Sequence, residues 1–79
     1  MKIQVKFFGP AAEKAGCTDL LVESEGTIGT VVEKVLQEFP ELKTFGSVMK
    51  YARNADYATL DTQLEEGDTL SFLPPVGGG

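Results

Sequence analysis

Residues 27–40 read TIGTVVEKVLQEFP. Ile28, Val31, Val32, Val35, Leu36 and Phe39 fall at i, i+3, i+4, i+7, i+8 and i+11, a single apolar stripe down one side of a helix. Thr27 is placed to cap the first turn, and Thr30 with Glu33 offers a capping box one turn later. Pro40 ends the run, because proline lacks the amide donor and clashes with the preceding turn. The valines at 31, 32 and 35 are β-branched and lower intrinsic helix propensity. Packing must therefore hold this helix, and the rest of the chain has to supply an apolar surface for the stripe.

The flanking segments alternate as strands do. From Lys2 to Phe8, Ile3, Val5 and Phe7 share one face and Gln4, Lys6 and Phe8 the other. GPAAEKAG (9–16) reads as a loop or short helical turn closing at Gly16, and Asp19 to Glu23 as a hairpin partner of the first strand. Beyond PELKTFGS (40–47), Val48 to Arg53 reads as a strand, Asn54-Ala55-Asp56 as a turn and Tyr57 to Leu60 as a short return strand. LEEGD (64–68) is a turn with Gly67 suited to positive φ, and Thr69 to Leu73 is the last strand. Four or five strands and one main helix in the order β-β-α-β-β-β predict a two-layer α+β domain with a mixed sheet and the helix packed on one face. This order suits the β-grasp, ubiquitin-like arrangement, one of a few topologies that the pattern allows.

Strand parity has a further consequence. If Ile3, Val5 and Phe7 face the helix, Phe8 points to the open face, and Leu73 does so if Leu70 and Phe72 are core. Tyr57 extends the same patch. Large apolar groups on an uncovered face mark a contact site, although isolated exposed apolar residues are also ordinary.

Composition narrows the function classes. The chain has 79 residues, one cysteine and no histidine, with 12 acids against 7 bases for a net charge of −5. One domain is expected, with a single small core. Lacking histidine, the chain has neither the commonest general base nor the commonest metal ligand. The acidic balance disfavours nucleic acid and anionic membranes and favours a partner with a basic patch. No apolar run approaches a membrane span, and MKIQVKFFGP (1–10) has no continuous apolar run of the secretory kind. A lone Cys17 without metal-ligand spacing points to a reduced, cytoplasmic setting. No cation neighbours Cys17 in sequence to activate it, so a structural or incidental role is expected. Lys14, Lys34, Lys43 and Lys50 read as solvated surface, Glu65-Glu66 as a charged turn, and Arg53 as a surface residue able to steer a partner.

The stretch PPVGGG (74–79) stands apart, dividing the chain into a body at 1–73 and a tail at 74–79. Pro74 and Pro75 cannot donate to a sheet and favour an extended course, which at about 3.1 Å per residue lets the tail reach on the order of 19 Å. Val76 is the tail's last side chain beyond hydrogen; Gly77, Gly78 and Gly79 have no Cβ and fit a channel too narrow for any side chain. The Gly79 carboxylate would be the reactive group inside such a channel. The bland alternative is a frayed terminus or a cloning remnant.

VKFF (5–8), GTIGTVVEKV (26–35), ARNADY (52–57), LEEGDTLSFLPPV (64–76) and the final Gly-Gly together resemble the MoaD/ThiS family of β-grasp sulfur carriers. GDTLSFLPPVGGG (67–79) is the specific part, and is more similar to the small subunit of molybdopterin synthase than to the thiamine-pathway carrier. The resemblance implies a carrier that is not an enzyme on its own and binds no cofactor. An E1-like adenylyltransferase would adenylate the Gly79 carboxylate using ATP and magnesium. A sulfurtransferase would convert the adenylate to a thiocarboxylate. The tail, Pro74 to Gly79, would then enter the large subunit of molybdopterin synthase, in a heterotetramer, and give its sulfur to the pterin precursor. Phe8, Tyr57 and Leu73 match the positions where the family places its apolar contact with that subunit. The alternatives are a thiamine-pathway carrier, a ubiquitin-like protein modifier, or a binding module with an inert tail.

Overall fold

In the computed structural model, which describes residues 1–75, the stripe and the strands meet as the periodicities require. The elements are β1 (Lys2–Phe7), α1 (Gly9–Ala15), β2 (Asp19–Glu23), α2 (Ile28–Glu38), a 3₁₀ segment (Pro40–Val48), β3 (Lys50–Arg53), β4 (Asp56–Ala58) and β5 (Thr69–Leu73). The strands form one five-stranded sheet in the order β2-β1-β5-β3-β4. β1 and β5 run parallel, with Val5 opposite Leu70 and Phe7 opposite Phe72, and the other neighbours are antiparallel. The sheet is thus mixed and its last strand is central, the β-grasp topology.

Helix α2 lies on the sheet face that carries Ile3, Val5, Phe7, Leu70 and Phe72. Its Ile28, Val31, Val32 and Val35 are buried, with Leu36 and Phe39 packed at the margin. Phe72 is fully buried and its ring meets both Phe7 and Tyr51 at 5.2 Å between centroids. Burial of one such side chain stabilises the fold by about 1.5–3 kcal/mol. The expected Thr27 cap forms, its Oγ1 accepting from the Thr30 amide. Two further amides of the first turn are satisfied from outside the helix, Ile28 N–H by the Thr62 carbonyl at 2.9 Å and Gly29 N–H by the Leu60 carbonyl at 2.8 Å. A Cβ on Gly29 would come within 3.2 Å of that Leu60 oxygen, so the close approach of this loop uses a glycine.

Three local readings shift. Residues 40–48 carry no helical or strand periodicity, yet they form the 3₁₀ segment, which buries Leu42 and kinks at Gly46 (φ 53°). Val48 therefore belongs to this segment, and β3 begins at Lys50. The following turn tightens to Asn54-Ala55 because Asn54 adopts φ 56°, a left-handed conformation that asparagine tolerates. Asp56 accordingly joins β4, which stops at Ala58, short of the expected Leu60. Among the described residues, no helix is long and apolar enough to cross a membrane.

Candidate docking groove and tail

Parallel pairing of β1 with β5 is what builds the site. With Phe7 opposite Phe72 on the helix side, the next residues, Phe8 and Leu73, emerge at the same end of adjacent strands. Phe8 is 47% exposed and also precedes α1, whose Pro10 occupies the first turn. Tyr57 stands 83% exposed on β4, the edge strand beyond β3. These three residues, together with Val48 and Pro10, line one groove of about 400 Å³. The structure thus brings together all three residues expected on the patch and adds Val48, an apolar residue 53% exposed that sequence reading placed inside a strand.

Pro74 and Pro75 form part of the wall of the same groove, Pro74 buried and Pro75 exposed. Residues 74 and 75 therefore run along the apolar surface. Val76, Gly77, Gly78 and Gly79, expected as the inserting and reactive part, lie outside the described residues.

Lys50 is exposed as expected, yet it lines this groove, across from Leu73 in the β3–β5 register. On β1, by comparison, Lys6 has Asp19 at 3.8 Å. Cys17 packs half-buried against the core, in keeping with a structural role.

The other end of β5 carries a polar cluster that sequence reading missed. Asp68 is buried and its carboxylate accepts from Arg53 Nε at 2.7 Å, the Glu65 amide at 2.8 Å and Asn54 Nδ2 at 3.2 Å. Asn54 in turn accepts from the Thr69 amide and donates its own amide to the Thr69 carbonyl. The hydrogen bond from Arg53 is the main reason the Asp68 carboxyl is held below the usual carboxylate range. Arg53, expected as a steering surface charge, is therefore committed to Asp68 and Glu65. Glu66 likewise accepts from the Lys2 amide rather than standing fully solvated. Burial raises the Tyr51 phenol above its ordinary value. Among the described residues, no group of histidine, cysteine or acidic side chains is arranged to hold a metal ion.

The long helix α2 laid across a mixed five-stranded sheet with a central last strand defines a small ubiquitin-like protein of the β-grasp class. The chain belongs to the ThiS family, whose model matches residues 5–79. It is 30% identical to the molybdopterin synthase sulfur carrier subunit of Mycobacterium tuberculosis over 82 residues, covering 100% of this chain and 99% of the relative. In structure it is similar to SAMP1, the small archaeal modifier protein 1 of Haloferax volcanii, with a TM-score of 0.90, 28% identity and full coverage of both chains. It is also similar to a chain in the complex of subunits 1 and 2 of the Helicobacter pylori molybdopterin-converting factor, with a TM-score of 0.73, 32% identity and full coverage of both.

Proposed function

We propose that this chain is a sulfur carrier, the small subunit of a molybdopterin synthase, and that it works by presenting Gly79 to the catalytic sites of other proteins. The observation that carries the reading is the place of Pro74 and Pro75 in the wall of the groove that holds Phe8, Tyr57 and Leu73. A protein surface seated on that groove is at the root of the tail, so docking and tail delivery become one event. Burying a contiguous apolar patch supplies the binding free energy, and the body needs no reactive side chain. The M. tuberculosis relative and the H. pylori subunit complex support the synthase assignment and a large subunit as the partner.

In this reading an E1-like adenylyltransferase binds ATP with magnesium. A Gly79 carboxylate oxygen attacks the α-phosphorus, pyrophosphate leaves, and an acyl-adenylate results. Sulfide supplied by a sulfurtransferase attacks the acyl carbon and displaces AMP, leaving the thiocarboxylate. The three terminal glycines give the tail no side chain to obstruct a narrow entrance. Division into a 1–73 body and a 74–79 tail is part of the same proposal.

Incubation with the cognate adenylyltransferase, magnesium-ATP and a sulfide source tests it by intact mass. The expected product has one terminal oxygen exchanged for sulfur. A chain lacking Gly78 and Gly79 should fold normally and fail to support cofactor synthesis; sustained synthesis by that chain would refute the carrier role. The likeness to SAMP1 favours a second reading, a protein modifier. That reading predicts Gly79 in isopeptide linkage to lysines of other proteins, which peptide mapping of lysates from the native host would reveal.

A further inference from the structure

The groove contains one residue that does not belong to an apolar docking surface. Lys50 projects from the open face of β3 beside Leu73, among Phe8, Val48, Tyr57 and Pro74. Among the described residues no carboxylate lies within 4.0 Å of its ammonium, and no acidic residue lines the groove. On the open face of β1, Lys6 has Asp19 beside it, while Lys2, like Lys50, has no carboxylate within 4.0 Å among the described residues. Lys34 on α2 donates to the Glu23 carbonyl. What sets Lys50 apart is its place among the apolar side chains of the groove. While the groove is open, the Lys50 stem can cover apolar surface and leave its charge in water. Once a partner covers Phe8 and Leu73, the ammonium loses that water, and an unpaired buried charge strongly opposes association.

We propose that Lys50 determines which partner the groove accepts: the covering protein surface is apolar but carries a carboxylate that meets the Lys50 ammonium. The inference rests on the groove being the docking surface. It adds a polarity opposite to that suggested by the chain's net charge of −5, which by itself favours a basic partner. The acid fixes the orientation of the docked surface, because only one placement both fills the groove and pairs the charge. It also rejects otherwise similar apolar partners that lack the acid.

The test measures binding of the full chain to its cognate large synthase subunit by calorimetry at two salt concentrations. The variants are Lys50→Met, Lys50→Glu and, as a control on the groove itself, Phe8→Asp. Lys50→Met keeps the stem and removes the charge. It should weaken binding at least about tenfold, with Lys50→Glu weaker still, and the salt dependence seen with the unaltered chain should diminish. If Lys50→Met binds equally well or more tightly while Phe8→Asp loses binding, the Lys50 proposal is overturned and the groove stands. If Phe8→Asp binds normally, the groove is not the docking surface and both readings fall. Circular dichroism melts of each variant confirm that the measurements compare folded chains.

Discussion

The two ends of β5 are built in opposite ways. At its start, the Asp68 carboxylate gathers Arg53, Asn54 and the Glu65 amide, and Asn54 closes on Thr69. At its finish, Leu73 and Pro74 run into an apolar groove. One end spends its polar groups on neighbouring segments and pins the register of β5 against β3. The other leaves apolar side chains in water, which a domain this small does not do to stabilise itself. The difference separates residues that hold the last strand from apolar residues that the described chain leaves in contact with water.

The largest effect should come from breaking the pinned end. Asp68→Ala leaves Arg53 and Asn54 without their shared acceptor, and should lower unfolding free energy by about 2–4 kcal/mol. Urea denaturation checks the loss, and the folded fraction should still bind the large subunit with unchanged affinity. If affinity fell in parallel, the two ends would be coupled and the contrast would fail.

Leu73→Asp should do the reverse. Placing a charge in the groove should weaken large-subunit binding roughly 30-fold, or about 2 kcal/mol, with a smaller change in stability because Leu73 is only half-buried. A purely stability-linked loss would move Leu73 into the class of Asp68.

The smallest effect is the response to acid, which sharpens the contrast. The Asp68 carboxyl is held below its unfolded value, so its contribution to stability is fully present above the ordinary aspartate pKa of about 3.9. That contribution fades as pH falls from there through the lower folded value, because the unfolded chain takes up the proton first. Melts across this window should show the loss in the unaltered chain and a flatter profile in Asp68→Asn. Replacing Phe8, which does not titrate and leaves Asp68 in place, should leave the shape of the pH profile unchanged.

Much of this was legible along the chain. Helix α2, with its Thr27 cap, and strands β2 and β5 stand where periodicity placed them. Parity also put Phe8 and Leu73 on the face opposite the helix, where the groove lies. The 3₁₀ segment was not legible, because a short tightly wound stretch with a kink at Gly46 leaves no sustained period in its side chains. The Asp68 cluster was not legible either. Arg53 and Asp68 are 15 residues apart, and they meet only through the antiparallel register of β3 on β5. Lys50 looked like any exposed lysine until that same register set it beside Leu73.

By itself, then, the order of residues determined where α2 coils, where β1, β2 and β5 extend, and which face their side chains take. Those properties follow from the 3.6- and 2-residue repeats of the backbone. Only the tertiary structure decided that Phe8, Tyr57, Leu73 and Lys50 share one groove with Pro74 and Pro75. Adjacency between distant strands arises when a helix buries its stripe and draws β1, β5 and β3 together beneath it, and no repeat along the chain encodes which strand will lie next to which.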